Sequence, residues 1–266
     1  MNRSLAAIII ALQLFVLAGC GLFSNTGDPR KSWSVEQYYE AALEELNDGN
    51  YEAAIKSFEA LEARYPYGRY AQEAQLQIAY TRYKQKNVPE TIAACDRFIK
   101  QYPTSSAVDY AYYLKGLANF NQDLGLFGFL ADNDLSDRDP KAAYESFDSF
   151  KELVTRFPES RYAPDSIARM DYLTNSLALH EVHVARYYMR RGAALAAANR
   201  AQQTVTTYPR APATEEALAI MVQAYDRLGL PQLRDDAARV MQKNFPESRY
   251  LAKSNNYGER PWWKWW

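Results

Sequence analysis

Apolar positions recur every three or four residues over most of the chain, which is the spacing of one face of an α-helix. Ser34 precedes the first such run and is predicted to begin a helix, on which Tyr38 and Ala42 share the apolar face. Gly49 is predicted to stop this helix, because glycine adopts the left-handed conformation that ends many helices. A second helix is predicted from Tyr51, so the pattern begins with a helix hairpin.

This first hairpin has the spacing of residue types that is typical of a tetratricopeptide (TPR) repeat. A small residue stands at Ala42, glycine at Gly49, a second small residue at Ala54, an aromatic residue at Phe58 and proline at Pro66. The small residues suit a close crossing of two helices, and the aromatic ring fills the space between one hairpin and the next. The pattern therefore predicts a hairpin that stacks on another of its kind.

An aromatic residue followed by proline recurs along the chain and divides the helical pattern into units. Successive copies of the proline lie 37, 55, 51 and 37 residues apart, at Pro66, Pro103, Pro158, Pro209 and Pro246. Proline ends helices because it lacks an N–H group, and Ser160 and Ser248 are predicted to cap the helices that follow. We predict an all-α, TPR-like α-solenoid of about five helix hairpins. Its units are 34–66, 70–103, 106–158, 162–209 and 213–246.

The third and fourth units are longer than the others. Gly116 stands at the close-contact position of the third unit, and residues 121–138 are predicted to be an insertion before Pro140 restarts the helical pattern. The first helix of the fourth unit is predicted to extend beyond His183 until Gly192 breaks it. These two features account for the wide proline spacings.

The N-terminus has the features of a secretory signal. Arg3 precedes a short apolar run that ends in Leu17-Ala18-Gly19-Cys20, which resembles a bacterial lipobox. An ordinary signal peptide with a chance cysteine is the alternative. By resemblance to lipoproteins, Cys20 carries the lipid and Gly21 favours the outer membrane, with the protein facing the periplasm. The predicted division is signal peptide 1–19, lipidated tether 20–33, solenoid 34–250 and Trp-rich tail 251–266.

Composition and motifs argue against several classes of function. A formal net charge of -1 gives no basic field for nucleic acid. No nucleophile, phosphate-loop or metalloprotease motif occurs in the sequence, so no enzyme activity and no cofactor are predicted. His180 and His183 could share a metal ion, but a surface or packing pair is the alternative, and no metal is predicted. Cys95 is predicted to be a small core residue.

Tyrosine is abundant, with 21 copies, and several are predicted to face a concave surface. The TPR spacing places Tyr80, Tyr83 and Tyr113 on that face. Tyrosine combines a large contact area with a hydrogen-bonding tip, which suits recognition of extended peptides. The alternative for any one of these residues is packing between helices.

A second candidate surface is cationic. Arg186, Arg190, Arg191 and Arg200 fall in the fourth unit, where they could bind acidic patches of a partner protein. A solvated helix face is the equal alternative. We therefore regard Arg186, Arg190 and Arg200 as candidate partner-binding residues.

The lipobox, the five TPR-like units and the Arg69-Tyr70 turn resemble the BamD family, also described as ComL-type lipoproteins. The segment Ser136–Pro140, where the helical pattern resumes after the insertion, and the helix from Gly192 to Arg200 add to the resemblance. It covers roughly residues 20–250. The resemblance implies an outer-membrane scaffold of the β-barrel assembly machinery. Its implied partners are the POTRA domains of the barrel subunit BamA, the accessory Bam lipoproteins and unfolded outer-membrane proteins, which are its clients.

The resemblance also assigns individual positions. Tyr65, Gly68 and Tyr70 fall in the client-binding region, and Arg200 falls in the helix that faces the barrel subunit. Trp262–Trp266 is not a hallmark of the family; we hypothesise that it touches the membrane or occupies the client groove. The alternative function is that of a periplasmic TPR adaptor, which recruits peptidoglycan enzymes or envelope-division proteins.

Overall fold

The computed structural model of the chain describes residues 32–124 and 140–251. These residues form ten α-helices joined by short turns, with no β-strand among them, which confirms the predicted all-α, TPR-like fold. The helices are α1 (Val35–Asn47), α2 (Tyr51–Arg64), α3 (Arg69–Lys84), α4 (Val88–Gln101), α5 (Val108–Leu124), α6 (Lys141–Arg156), α7 (Ala163–Arg190), α8 (Ala194–Thr207), α9 (Ala213–Arg227) and α10 (Pro231–Asn244). The predicted signal peptide, Cys20, most of the predicted tether and insertion, and the Trp-rich tail lie outside the described residues.

The chain divides between Thr81 and Arg82 into two compact units. In the first unit α1 packs against α2, and Ser34 caps α1 as predicted. The Ser34 side chain accepts from the Gln37 N–H while the Gln37 side chain accepts from the Ser34 N–H, which is a capping box. Phe58 is fully buried among the small and aliphatic side chains of α1, α2 and α3, as the TPR spacing predicts.

In the second unit, consecutive helices from α4 to α10 pack against one another, and α7 also packs against α9. Gly116 is the close-contact position that the sequence predicts: a Cβ atom placed there would lie 2.5 Å from Cε1 of Phe150. The helix α7 is 28 residues long, and Gly192 follows it with a φ of 77°, which favours glycine. The long helix and its end before Gly192 agree with what the sequence predicts for this stretch.

The prediction that Ser160 and Ser248 are N-caps is wrong. Tyr162 is the residue that precedes α7, and no helix follows Ser248 within the described residues. The two hydroxyls instead donate to carboxylates in the first turn of an earlier helix, Ser160 to Asp109 Oδ2 at 2.6 Å and Ser248 to Glu215 Oε1 at 2.6 Å. Each serine thus connects the end of one hairpin to the beginning of the same hairpin.

Candidate functional site

Tyr65 lies in the turn between α2 and α3 and is largely committed to the fold. Its hydroxyl donates to the backbone carbonyl of Trp33 at 2.9 Å, and its ring meets the edge of the Tyr38 ring at a centroid distance of 6.3 Å. The guanidinium of Arg64 lies 5.7 Å from the Tyr65 ring centroid. This side chain holds Trp33, just before α1, against the turn between α2 and α3.

Tyr70 and Tyr80 also pack against the core of the first unit. The Tyr70 ring lies 5.5 Å from the Tyr39 ring, centroid to centroid. Burial raises the pKa of Tyr39, whose hydroxyl accepts a hydrogen bond from Gln77 at 3.4 Å. Both predicted tyrosines are half-buried, so each offers only part of its ring to a ligand.

The exposed aromatic side chain of this turn is Tyr67, which the sequence reasoning did not assign to the site. It is 90% exposed, and it precedes Gly68, whose φ of 95° makes the tight turn. A residue between a helix-ending proline and a left-handed glycine has no helical face to bury. The Pro66-Tyr67-Gly68 sequence therefore held a signal for this exposed ring.

The remaining predicted tyrosines, Tyr83 and Tyr113, lie in the second unit and are half-buried. Tyr113 stacks on Tyr162 with a centroid distance of 4.7 Å, and its hydroxyl donates to Asp165 Oδ2 at 2.7 Å. Burial, together with the Asp165 contact, raises the pKa of Tyr113. Although burial opposes it, hydrogen bonds from Arg169 and Tyr113 lower the pKa of Asp165. Tyr113 is thus one member of a network that joins α5 to the beginning of α7.

A cleft of about 330 Å³ opens beside this network, between two successive inter-repeat turns. Ser105 lies on one side, and Phe157 and Pro158 lie on the other. Asp109 and Arg156 also line it, but Asp109 accepts from Ser160 and Arg156 donates to the Tyr112 hydroxyl at 2.5 Å. These two charged groups are therefore engaged within the protein.

Arg186, the first of the predicted partner-binding arginines, is paired across two helices. Its Nη2 donates to Glu216 Oε2 at 3.0 Å, and its Nε lies 2.7 Å from Glu216 Oε1. The Tyr250 hydroxyl donates to the same carboxylate at 3.1 Å. Arg186 therefore fastens α7 to α9 and to the turn after α10.

Arg200 on α8 is paired with a buried acid on α7. Its Nη1 lies 3.0 Å from Oε2 and 3.4 Å from Oε1 of Glu181. The Glu181 side chain is 5% exposed, whereas the Arg200 side chain is 42% exposed. The guanidinium therefore reaches from the surface to cover a carboxylate in the interior.

Arg190 lies on the surface at the end of α7. Apolar groups are exposed close to it in the sequence, with Leu195 60% exposed and Tyr187 46% exposed. The Arg191 guanidinium lies 5.4 Å from the Tyr187 ring centroid, and Arg227 Nη1 donates to the Met189 carbonyl at 3.1 Å. This end of α7 presents cationic and apolar groups together, so it suits a protein partner.

The other candidate groups give no catalytic arrangement. His180 and His183 are half-buried on α7. Among residues 32–124 and 140–251, no three or more His, Cys, Asp or Glu side chains are grouped to hold a metal ion. Cys95 is a free thiol in the core, and burial raises its pKa to about 12. Within the described part of the chain, no helix has both the length and the apolar character to cross a membrane.

Comparisons with known proteins identify the family. Residues 31–240 match the YfiO family, described as outer membrane lipoprotein. The chain is 44% identical over all 266 residues to the full length of "Outer membrane protein assembly factor BamD" of Neisseria meningitidis serogroup A. It is 40% identical over 217 residues to the protein of the same name of Xylella fastidiosa, covering 82% of this chain and 74% of that one.

Among solved structures, a thermophilic TPR protein of Thermus thermophilus is similar, with a TM-score of 0.35 and 15% identity. The similarity covers 82% of this chain and 98% of that one. The full-length sequence similarity and the match over residues 31–240 assign the chain to its family. The chain therefore belongs to the YfiO family of outer membrane lipoproteins, which places it among the relatives of the BamD assembly factors.

Proposed function

We propose that this chain is an outer membrane protein assembly factor that acts as a non-enzymatic scaffold. In this role it docks on the POTRA domains of the barrel subunit BamA, supports accessory lipoproteins and binds unfolded outer-membrane proteins. The observation that carries the proposal is the 44% identity, over the whole length of both chains, to a protein named for outer membrane protein assembly. The helix hairpins agree with it, since such repeats present extended binding surfaces.

The client surface in this proposal includes the turn between α2 and α3. Tyr65 and Tyr70 shape the turn through their packing, and Gly68 gives it its bend. Tyr67 supplies the exposed ring that contacts an aromatic client segment. Tyr80 contributes the exposed part of its ring in the same unit, and Tyr83 and Tyr113 are candidate client contacts of the second unit.

The partner surface is assigned to the end of α7. Arg190 meets acidic groups of the POTRA domains, and the exposed Leu195 and Tyr187 supply apolar contact. Arg186 keeps α7 in place through Glu216, and Arg200 does so through Glu181. Lipidation of Cys20 holds the protein on the periplasmic side of the outer membrane, an anchor supported by the lipobox and by the family description.

A pull-down of the tagged full-length lipoprotein from detergent-solubilised membranes tests the partner assignment. We expect the natural chain to recover a barrel subunit with POTRA domains, and the Arg190→Glu variant to recover much less of it. Lys56→Glu, which reverses an exposed charge on α2 in the other unit, is the matched control and should recover the natural amount. Recovery of a peptidoglycan hydrolase in place of the barrel subunit would instead support an adaptor function.

The client assignment is tested by fluorescence anisotropy with a labelled peptide that has the aromatic C-terminal strand of an outer-membrane protein. Tyr67→Ala should weaken binding by roughly five- to thirtyfold, the effect of losing 1–2 kcal/mol of aromatic contact. Tyr187→Ala, which removes an exposed tyrosine in the second unit, should leave the affinity unchanged. Equal affinities for all three proteins would remove Tyr67 from the client site.

A further inference from the structure

The solvent-facing side of α10, the last of the described helices, is apolar. Leu233 is 45% exposed and Val240 is 43% exposed. They lie seven residues apart, which places them within about 20° of each other around the helix axis, so they form one stripe. Leu230, directly before the helix, and Leu251, after the turn that follows it, are exposed as well. We call Leu233 and Val240 the α10 stripe.

The counterparts of the α10 stripe in the preceding hairpins of the second unit are mostly polar. The second helix of each hairpin ends just before an aromatic residue and a proline, so positions can be compared by counting back from the aromatic residue. Leu233 lies twelve and Val240 five residues before Phe245. At these two positions α4 has Glu90 and Arg97, α6 has Glu145 and Glu152, and α8 has Ala196 and Gln203. An apolar stripe where related helices have a solvated face marks a surface that another chain segment covers.

The chain itself contains a segment that suits the α10 stripe. Residues 252–266 follow Leu251 and contain four of the five tryptophans of the protein, at Trp262, Trp263, Trp265 and Trp266. The ten residues between Leu251 and Trp262 span up to about 35 Å when extended, whereas the 14 residues of α10 are about 21 Å long. The tryptophans can therefore reach every part of the stripe without any change in the helices.

The charges at the beginning of α10 agree with this occupant. Arg234 lies 3.1 Å from Asp226 and 2.8 Å from Asp235, so one guanidinium is shared by two exposed carboxylates. Arg227, the cation next to Asp226 in the sequence, donates to a backbone carbonyl of α7. The two carboxylates can therefore accept a further cation, and Lys264 stands between the two tryptophan pairs of the tail.

We propose that the Trp-rich tail folds back on α10, where its tryptophans cover the α10 stripe and Lys264 lies beside Asp226 and Asp235. The tail is then an intramolecular cover of the last hairpin, and its rings leave the solvent by packing on this helix. A membrane surface, the client groove, and a separate protein bound to the stripe are the competing assignments. The proposal does not depend on the proposed function.

Tryptophan fluorescence of the full-length lipoprotein in phosphatidylcholine vesicles tests the proposal, because the tail holds all the tryptophans except Trp33. Leu233→Gln combined with Val240→Gln, the α10 variant, removes the stripe while keeping a residue that favours helices. It should shift the emission to longer wavelength and make it more sensitive to quenching by acrylamide, since the rings lose their cover. Ile167→Gln, at an exposed apolar position on α7, is the matched control and should leave both properties unchanged.

Three results would overturn the proposal, each in favour of another assignment. Quenching by brominated phosphatidylcholine, equally strong in the natural chain and the α10 variant, would place the rings in the membrane. An emission that responds to Tyr67→Ala but not to the α10 variant would place the tail in the client groove. An emission typical of solvent-exposed tryptophan in both the natural chain and the α10 variant would leave the stripe to a separate protein.

Melting temperatures distinguish loss of this contact from a general loss of stability. In the tail variant all four tail tryptophans are replaced together, by Trp262→Ser, Trp263→Ser, Trp265→Ser and Trp266→Ser. The α10 variant and the tail variant should each melt about 2–4 °C below the natural chain, the effect of losing about 1 kcal/mol. Combining the two should add little to either change, because both remove the same contact. Additive losses would show that the stripe and the tail act independently and would contradict the proposal.

Discussion

At the scale of single residues, Cys95 and Gly116 show that packing decides the role of a side chain. Both lie in the second unit and both are fixed by their surroundings rather than by their own chemistry. Cys95 is completely buried, so a group that is reactive elsewhere acts here as a small apolar residue. Gly116 lies in the interior of α5, where glycine is unfavourable for the helix but leaves room for the Phe150 ring.

The raised pKa of Cys95 predicts a pH dependence of stability. The thiol of the unfolded chain ionises near pH 9.0, whereas the buried thiol does so at about 12, so the stabilisation present below pH 9 is lost as the pH rises toward 12. Relative to Cys95→Ala, the free energy of unfolding should fall by about 1 kcal/mol between pH 9 and pH 10. Urea unfolding of both proteins at both pH values measures this change. Taking the difference between the two proteins removes the contribution of tyrosine ionisation, which they share. Parallel pH curves for the two proteins would contradict the prediction.

For Gly116→Ala, helix propensity predicts a higher free energy of unfolding, whereas packing predicts a lower one. Alanine would favour the helix by about 1 kcal/mol, but its Cβ would lie 2.5 Å from the Phe150 ring. We expect the clash to prevail because overpacking typically costs about 1–3 kcal/mol, so Gly116→Ala should lower the free energy of unfolding. Denaturant unfolding measures the change. Adding Gly116→Ala to a Phe150→Leu background should cost less than adding it to the natural chain, and equal costs would exclude the ring as the cause.

At the scale of elements, the turn that ends a hairpin is a repeated structural unit. The sequence Phe-Pro-Glu-Ser-Arg-Tyr occurs at 157–162 and again at 245–250. In both copies the serine Oγ accepts from the N–H two residues later at 3.2 Å and donates to a carboxylate, and the arginine lies over the following tyrosine ring. Identical sequences thus make the same contacts in different repeats, which indicates that the turn specifies its own geometry.

Removing either serine hydroxyl should loosen the hairpin that it closes. Ser160→Ala removes the donor to Asp109 Oδ2, and Ser248→Ala removes the donor to Glu215 Oε1. Because these are partly exposed bonds to charged groups, we expect each variant to lose about 1–2 kcal/mol of unfolding free energy. Ser106→Ala, at an exposed serine of another aromatic-proline turn, should change it by less than about 0.5 kcal/mol. Urea unfolding of the three variants checks this, and equal losses would contradict the role of the hydroxyl.

At the scale of the whole molecule, each of the two compact units contains a hydrophobic core cluster. The core of the first is built around Phe58, and one core cluster of the second lies around Ile220 on α9. In repeat proteins each hairpin is stabilised mainly by its neighbours, so a defect spreads over a short distance. The stability of the surfaces proposed for client and partner should therefore respond to different substitutions.

Hydrogen exchange measured by mass spectrometry can test this independence. Phe58→Ala removes a fully buried ring, which typically costs about 3–5 kcal/mol, and should speed exchange in α1 and α2. Exchange in α8 to α10 should stay near that of the natural chain. Ile220→Ala is the matched control and should have the reverse effect, with fast exchange around α9 and little change in α1 and α2. Faster exchange throughout the chain for either variant would show that it folds as a single cooperative unit.

Much of the fold could be predicted from the sequence, but less of the candidate site. Ser34, Gly49 and Gly192 marked helix ends correctly, because caps and left-handed turns depend on neighbouring residues. The N-cap prediction for Ser160 was wrong, because its actual partner, Asp109, lies 51 positions away. Periodicity could not tell the exposed Tyr67 from the packed Tyr65, since the difference lies in which rings and carbonyls approach from other helices.

The sequence by itself determined the all-α class, the division into helix hairpins and the family, because the spacing of apolar residues, glycine and proline is a local property. The tertiary structure decided which charged groups and aromatic rings are paired or packed within the protein. The sequence marked Arg200 as a candidate for partner binding and gave Glu181 no role. Only the packing of α7 against α8 buries the carboxylate and pairs it with the arginine. The physical reason is burial. Whether a side chain is buried depends on residues that are distant in the sequence, and the local spacing of residue types does not identify them.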